Sequence, residues 1–143
     1  MKVKIKRIEK DIPLPEYKTA GAAGFDFVAR KTLTILPKSF DYIPLNACIA
    51  TPKGYMLLLA ERSSTHKKGL SMINGVAIGD QDFCGNGDEY RAVLYNFTDK
   101  PVTIERGERI VQGVFVPILK HEWREVDDMG SKDRGGFGTT GKK

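Results

Sequence analysis

The end of the chain is rich in glycine and threonine and could bind an anion. It reads Gly135-Gly136-Phe137-Gly138-Thr139-Thr140-Gly141. Successive backbone amides and two hydroxyls can wrap an anionic group if another part of the protein orders the segment. The composition alone favours a solvated tail, yet a plain linker has no use for a Phe between residues that free the backbone. We therefore expect this segment to take part in binding.

Two nucleotide-binding patterns match the same segment in residue type and spacing only. Gly136, Gly138 and Gly141 have the spacing of the dinucleotide fingerprint, and Gly136 to Lys142 nearly fit the P-loop pattern. Both mechanisms need a strand before the glycines and a helix after them to hold the phosphate. No helical pattern follows Gly141, and Lys143 stands where the P-loop needs Ser or Thr. Both matches are rejected.

Composition narrows the class of protein. A chain of 143 residues is expected to form one domain, and its net charge of +5 favours anionic partners in general. Cys48, Cys84, His66 and His121 are scattered without metal-ligand spacing, so a zinc site is not expected and both cysteines are predicted to be buried hydrophobes. No apolar run predicts a signal peptide or a membrane span, and we expect a cytoplasmic protein.

Alternation of apolar and polar residues predicts the elements that must position these groups. It indicates short strands separated by turns at Pro37-Lys38, Pro52-Lys53-Gly54, Lys100-Pro101 and Arg106-Gly107. The alternating segments lie around Val3 to Ile8, Phe25 to Phe27, Ile43 to Leu45, Tyr55 to Leu59, Ala92 to Tyr95, Val102 to Ile104 and Ile110 to Val116. Only residues 63–68 could form a short helix, with Ser63 or Ser64 as its N-cap. The sequence therefore predicts an all-β domain over residues 1–128 and a flexible glycine-rich arm over residues 129–143.

Five segments in order resemble the five motifs of the homotrimeric dUTP diphosphatase (dUTPase) family. Any one of them would be weak, but their order and spacing cover almost the whole chain. The segments are Ala22-Ala23-Gly24-Phe25-Asp26-Phe27, Glu61-Arg62-Ser63-Ser64, Asn74 to Gly85, Gly107-Glu108-Arg109-Ile110-Val111-Gln112 and Arg134-Gly135-Gly136-Phe137-Gly138-Thr139-Thr140-Gly141.

The resemblance implies a fold and a reaction. The fold is a distorted, jelly-roll-like β-barrel with one short helix and a mobile C-terminal arm. The reaction is magnesium-assisted hydrolysis of dUTP to dUMP and pyrophosphate, in which water attacks the α-phosphate. The resemblance further implies a homotrimer in which different subunits supply the nucleoside motif, the phosphate motifs and the arm to each active site. Nucleic acid is not expected as a partner.

Residue roles carry over from the family motif by motif. Asp80 would orient and deprotonate the water, although an Asp beside a glycine is otherwise an ordinary turn residue. Arg62 and Ser63 would act on the triphosphate during catalysis. Mg2+ would be held by Asp26 and Gln112 through water only, and a structural role for Asp26 competes with that role. The remaining substrate-binding positions are Ser64, Asn74, Phe83, Gln112, Arg134, Phe137, Gly138, Thr139 and Thr140.

Within these positions, the family pattern assigns each end of the nucleotide. A β-hairpin offers backbone hydrogen bonds to uracil at its Asn74 end and is too narrow for a thymine methyl or a ribose 2′-hydroxyl. Phe83 replaces the usual Tyr against the deoxyribose, and the arm stacks Phe137 on uracil while Arg134 reaches the γ-phosphate. This chain departs from the pattern at Glu61, where the family has Pro, and at Gly79, where an aliphatic residue is usual. The segment after Phe83 is also longer than usual.

Two other functions remain open at this point. dCTP deaminases share the fold and the Arg-Ser-Ser segment, but they carry a catalytic glutamate where this chain has Val93, three residues before Asn96. Phage relatives can act as regulatory proteins through a protein partner. Assaying release of pyrophosphate from several nucleotides separates these functions from dUTP hydrolysis.

Overall fold

A computed structural model describes residues 2–137 as short antiparallel strands joined by turns. Within that part of the chain there are eleven strands and one 3-10 helix, Thr65–Lys68. The strands are β1 Ile5–Arg7, β2 Phe25–Val28, β3 Leu33–Ile35, β4 Phe40–Pro44, β5 Ala47–Ile49, β6 Tyr55–Glu61, β7 Leu70–Met72, β8 Ala77–Gly79, β9 Arg91–Asn96, β10 Val102–Ile104 and β11 Arg109–Pro117. The all-β prediction is confirmed.

The strands pair into four antiparallel sheets. A four-stranded sheet has the order β2-β11-β6-β8, a three-stranded sheet has the order β4-β9-β7, and two further pairs join β1 to β5 and β3 to β10. This layered, jelly-roll-like arrangement agrees with the predicted fold, but the ladders of the described residues do not close into one barrel. The four-stranded sheet matters most for function, because β2, β6, β8 and β11 carry or precede the predicted site residues.

Alternation in the sequence determines which side chains enter the core. In β9, Ala92, Leu94 and Asn96 are fully buried while the residues between them are more exposed. Asn96 is satisfied there: its side-chain nitrogen donates to the carbonyls of Ile35 and Lys100. A buried amide that keeps its hydrogen bonds avoids the desolvation cost of an unpaired group. Asn96 therefore stabilises the end of β9.

The 3-10 helix lies directly after the end of β6. Ser64 occupies its N-cap position without a side-chain capping bond, and Gly69 ends it with a φ of 78°. The Thr65 hydroxyl accepts a 3.2 Å hydrogen bond from the Arg62 amide and donates to the carbonyl of Ile110 at 3.1 Å. The turn that carries Arg62 is thereby tied to the first residues of β11.

The chain after β11 packs little against the rest of the molecule. Residues 119–135 are all exposed, and Trp123 is as exposed as in a free chain, at 100%. The division at residue 128 into a domain and an arm stays a prediction. No helix among residues 2–137 is long and apolar enough to span a membrane. Cys48 is buried as predicted, but Cys84 is exposed because it lies in the turn-rich segment after β8, so that prediction was wrong.

Candidate active site

An aspartate between two arginines forms the centre of one candidate site. Asp26 in β2 accepts hydrogen bonds from Arg62 Nε at 3.0 Å and from Arg109 Nη1 at 2.9 Å, one on each carboxylate oxygen. Arg62 Nη1 also donates to the carbonyl of Arg109 at 3.3 Å. One carboxylate thus orients two guanidinium groups, whose remaining N–H groups are directed by fixed geometry. Asp26 therefore has a direct positioning role for both arginines.

The register of the four-stranded sheet brings Gln112 to the same place. Gln112 in β11 lies opposite Asp26 of β2 on one side and opposite Ala60 of β6 on the other. Its side-chain nitrogen donates to the carbonyl of Glu61 at 2.8 Å, which leaves its oxygen available as an acceptor. Three of the motifs predicted to meet at the phosphates, those of Asp26, Arg62 and Gln112, are thus adjacent.

A basic cavity lies beside this cluster. Its volume is about 230 Å³, and Arg62, Lys67, Lys68 and Arg109 contribute its positive charge. Lys68 forms an ion pair with Glu108, and partial burial lowers the pKa of its ammonium group. Ser64 also lines the cavity, whereas Ser63 is exposed beside it. Clustered guanidinium and ammonium groups of this kind favour an anionic ligand.

Glu61 is turned away from that cavity. Its Oε1 accepts hydrogen bonds from the Ser71 hydroxyl at 2.7 Å and from the Met72 amide at 2.5 Å. Both partners belong to β7, so the acid joins two sheets and does not oppose Arg62. The Glu in place of the family's Pro is therefore accommodated without a negative charge at the cationic site.

Asp80 and Phe83 lie at a second cavity, of about 460 Å³. Asp80 is exposed immediately after β8, and Phe83 is partly exposed, at 38%. The cavity is lined by Tyr42, Ala77, Ile78, Asp80, Phe83, Gly87, Glu89, Tyr90, Arg91 and Val93. An acceptor carboxylate at the mouth of a cavity with aromatic walls is suited to a small ligand that has an apolar face and polar edges.

The two strands that contribute residues to this cavity, β8 and β9, do not pair with each other. β8 pairs with β6 and β9 pairs with β4 and β7, so the two strands belong to different sheets and diverge on either side of the cavity. Burial of alternate β9 residues joins that strand to the three-stranded sheet, and the hairpin expected to bind the base stays a prediction. Asn74 is exposed in the turn before β8 and does not line the cavity.

Within one chain, Asp80 and Arg62 lie at opposite ends of paired strands. Leu57 in β6 lies opposite Gly79 in β8, and the strands are antiparallel. Asp80 therefore continues past the Met56 end of β6, while Arg62 follows its other end. At about 3.3 Å per residue, the six positions between residues 56 and 62 correspond to a separation of roughly 20 Å.

The arm positions are only partly described. Arg134 and Phe137 are exposed, and Phe137 has a positive φ of 50°. Gly138, Thr139 and Thr140 lie outside the described residues. The structure therefore brings neither Arg134 nor Phe137 to a site in the same chain.

Sequence reasoning missed two residues that line the basic cavity, Arg109 and Thr65. Arg109 was part of a quoted motif without a role of its own, and Thr65 was not singled out. A basic residue at the start of the strand that also carries Gln112 was the available signal for Arg109. Thr65 gave no such signal, because its role depends on a contact with Ile110, 45 positions along the chain.

Comparison with known proteins identifies the family of the chain. The family model for dUTPase matches residues 10–141. The deoxyuridine 5′-triphosphate nucleotidohydrolase of Hydrogenobaculum is 38% identical over 147 aligned residues, covering 100% of both chains. The protein of the same name from Lactococcus lactis is 38% identical and covers 91% of this chain and 89% of its own.

Solved structures share the fold. The dUTPase of Streptococcus mutans superposes with a TM-score of 0.76 at 35% identity, over 83% of this chain and 98% of that one. The dUTPase of Staphylococcus bacteriophage 80alpha, solved with dUPNHPP, has a TM-score of 0.85 at 24% identity, covers 98% of each chain and supports the fold alone.

An all-β fold with a cationic cluster and a separate aromatic cavity is compatible with a nucleotide-binding class of enzyme. The family model and the relatives make the class specific: the chain belongs to the dUTPase family. The resemblance drawn from five short motifs is confirmed, as is the prediction that the protein is an enzyme of this class.

Proposed function

We propose that this protein hydrolyses dUTP to dUMP and pyrophosphate. The observation that carries the proposal is the Asp26–Arg62–Arg109 cluster beside a basic cavity, in a chain of the dUTPase family. In the reaction, a water oxygen bonds to the α-phosphorus and the bond from that phosphorus to the bridging oxygen of the β-phosphate breaks. The departing group is pyrophosphate, and the water proton passes to a carboxylate.

Asp80 is the proposed proton acceptor. It is exposed at the mouth of the aromatic cavity, where water has access, and it is the residue that carries this role in the family motif. Arg62, Ser63, Ser64 and Gln112 would hold the phosphates. Arg62 and Ser64 line the basic cavity, Ser63 lies between them in the chain, and Gln112 donates to the carbonyl of Glu61, the residue before Arg62. Charge-assisted hydrogen bonds from Arg62 would strengthen as negative charge builds on the leaving pyrophosphate.

The proposed metal is Mg2+, held through water. Mg2+ usually keeps several waters and takes phosphate oxygens, and residues 2–137 contain no group of three acidic, His or Cys side chains that could enclose an ion. Asp26 and Gln112 lie side by side across two strands, which fits contact with the water shell of the ion. When bound, the ion would neutralise charge on the phosphates.

The aromatic cavity is the proposed nucleoside site. Phe83 would pack against the deoxyribose, and the cavity walls would exclude a thymine methyl and a ribose 2′-hydroxyl by shape. Asn74 would contribute at the base end from its turn. The arm would then close over the nucleotide, with Phe137 on uracil, Arg134 on the γ-phosphate, and Gly138, Thr139 and Thr140 completing the phosphate contacts.

A homotrimer with shared sites is part of the proposal. Support comes from the roughly 20 Å that separates Asp80 and Arg62 within one chain, since both must reach the α-phosphate region of a single nucleotide. The exposed residues 119–135 offer further support, because Leu119 and Met129 are each 83% exposed and would gain burial against another subunit. The cytoplasmic location stays a prediction.

Release of pyrophosphate tests the proposed function. dUTP, dTTP, dCTP and UTP are assayed with Mg2+ and with excess chelator, and only dUTP with Mg2+ is expected to be turned over efficiently. Asp80→Asn should lower turnover by about 10² to 10⁴-fold while keeping nucleotide binding, because shape is conserved and the base is lost. Equal turnover of all four nucleotides would contradict the proposal, and ammonia release from dCTP would identify a deaminase.

A further inference from the structure

Gly79 and Tyr90 share one space beneath the aromatic cavity. A Cβ atom added at Gly79 would lie 2.3 Å from the Tyr90 hydroxyl oxygen and 2.8 Å from its ring carbon Cε1. Real Cβ atoms do not approach other atoms so closely, so the tyrosine occupies the volume that a side chain at position 79 would need. The glycine before Asp80 is thus explained by packing.

Tyr90 is held firmly in that position. Its amide donates to the carbonyl of Ala47 at 2.9 Å, and its carbonyl accepts from the amide of Leu45 at 3.0 Å. Only 5% of the residue is exposed, and its ring lies 6.4 Å from the ring of the fully buried Phe27. A side chain fixed through both its backbone and its ring can act as a rigid support for its neighbours.

Phe83 rests on this support. The ring centroids of Phe83 and Tyr90 are 5.1 Å apart at an interplanar angle of 75°, which is a favourable edge-to-face contact. Both residues line the cavity that contains Asp80. If the side chain at position 90 were smaller, the ring of Phe83 could move into the empty space beside Gly79. The cavity would then be deeper where Phe83 is expected to contact the sugar.

The ring of Tyr90 makes the contacts with Phe83 and Phe27, whereas its ring and hydroxyl together fill the space beside Gly79. The hydroxyl is buried beside that of Thr51, and neither has a well-aligned hydrogen bond to another group within residues 2–137. Replacing Tyr by Phe would keep the ring contact with Phe83 and the close approach of Cε1 to position 79, and would remove a poorly satisfied polar atom.

We propose that Tyr90 is a positioning residue that, together with Gly79, holds the ring of Phe83 in its place at the wall of the aromatic cavity. The position of this ring then determines the preference for deoxyribose over ribose. The inference rests on the proposed dUTP hydrolysis and names a determinant of its sugar specificity. A pocket that excludes a hydroxyl group by shape loses that discrimination when a residue of its wall can move away from the ligand.

The ratio of kcat/KM for dUTP to kcat/KM for UTP tests the proposal. Tyr90→Leu should lower this ratio by about tenfold or more, while Tyr90→Phe keeps it. The double variant Gly79→Val with Tyr90→Leu refills the space and should recover most of the ratio. This double variant also tests the proposal if Tyr90→Leu alone fails to fold.

Thermal unfolding provides a readout that needs no nucleotide. Gly79→Ala should lower the melting temperature in the wild type, where Tyr90 blocks the new methyl group, and should not lower it in the Tyr90→Leu background. An equal fall in melting temperature in both backgrounds would show that residues 79 and 90 do not compete for the same space. An active Tyr90→Leu protein with the wild-type substrate ratio, or a double variant with no recovery, would overturn the inference alone. A wild type that turns over UTP but not dUTP would overturn the proposed function.

Discussion

Asp80 and Arg62 follow opposite ends of an antiparallel strand pair, because Leu57 of β6 lies opposite Gly79 of β8. The proposed general base and the proposed phosphate-binding arginine of one chain are therefore separated by roughly 20 Å along the sheet. The proposed reaction requires both groups near the α-phosphate of a single nucleotide. The separation thus favours sites that combine two copies of the chain.

Asp26→Asn should loosen both arginines of the cationic cluster. The free energy of unfolding is expected to fall by about 1 to 3 kcal/mol, since the side chain is only 15% exposed and two charged donors lose their acceptor charge. Chemical denaturation measures the loss. Glu16→Gln is the matched control, because its ion pair with Lys18 is exposed to solvent and should contribute little to stability. Equal losses for the two variants would show that the cluster is not specially stabilising.

The variants Glu61→Gln and Glu61→Ala test whether the Glu61 carboxylate has a structural role or repels the triphosphate. Gln keeps an acceptor for the Met72 amide and should cost less than about 1 kcal/mol, whereas Ala leaves that amide unpaired and should cost about 1 to 3 kcal/mol. KM for dUTP should stay unchanged in Glu61→Gln, because the carboxylate is bonded to β7. A marked fall in KM would mean that Glu61 repels the triphosphate.

Tyr90→Phe should make the protein more resistant to alkali. Burial raises the pKa of Tyr90 above its ordinary value of 10.0, so the phenol stays neutral in the folded state while the unfolded chain ionises. Its contribution to stability is fully present below pH 10.0 and is lost as the pH rises toward the folded pKa. The stability difference between Tyr90→Phe and wild type should therefore grow from pH 9 to pH 11, measured by denaturant unfolding. A constant difference would contradict burial of an ionisable hydroxyl.

Deletion of residues 130–143 should leave a folded protein that binds dUTP but turns it over poorly. Residues 130–135 are exposed in the chain, so little packing is lost, whereas closure over the nucleotide would be abolished. Phe137→Ala should reproduce part of the defect, weakening binding by about 1 to 3 kcal/mol if it stacks on one base. Circular dichroism controls for folding. Wild-type turnover by the truncated protein would show that the arm is only a solvated extension.

Several strands could be predicted from the sequence, including the three-residue β1 and β10, whereas others such as β5 and β8 could not. β2, β6, β9 and β11 show alternating burial that period-two patterning indicates. β5 is buried at all three of its residues, and the buried position of β8 is a glycine, so neither strand shows an alternation of apolar and polar residues in its sequence. These strands form because neighbouring strands supply the hydrogen-bonding edge, which is tertiary information.

The site residues that belong to sequence motifs could be predicted. The contacts that depend on packing between distant parts of the chain could not. The adjacency of Asp26, Arg62 and Gln112 follows from motifs on neighbouring strands. The role of Tyr90 could not be seen, because it depends on the missing side chain at Gly79, eleven positions earlier. The orientation of Glu61 was equally hidden, since its partners lie in β7.

Mixing two inactive variants tests the shared site most directly. Asp80→Asn and Arg62→Ala, each purified alone, are unfolded together and refolded at equal amounts, and release of pyrophosphate from dUTP is measured. If one copy supplies Asp80 and another supplies Arg62, random assembly leaves both residues intact in about one quarter of the sites. Activity should therefore rise from near zero to about one quarter of the wild-type value. A mixture that stays as inactive as its components would contradict a site built from two copies.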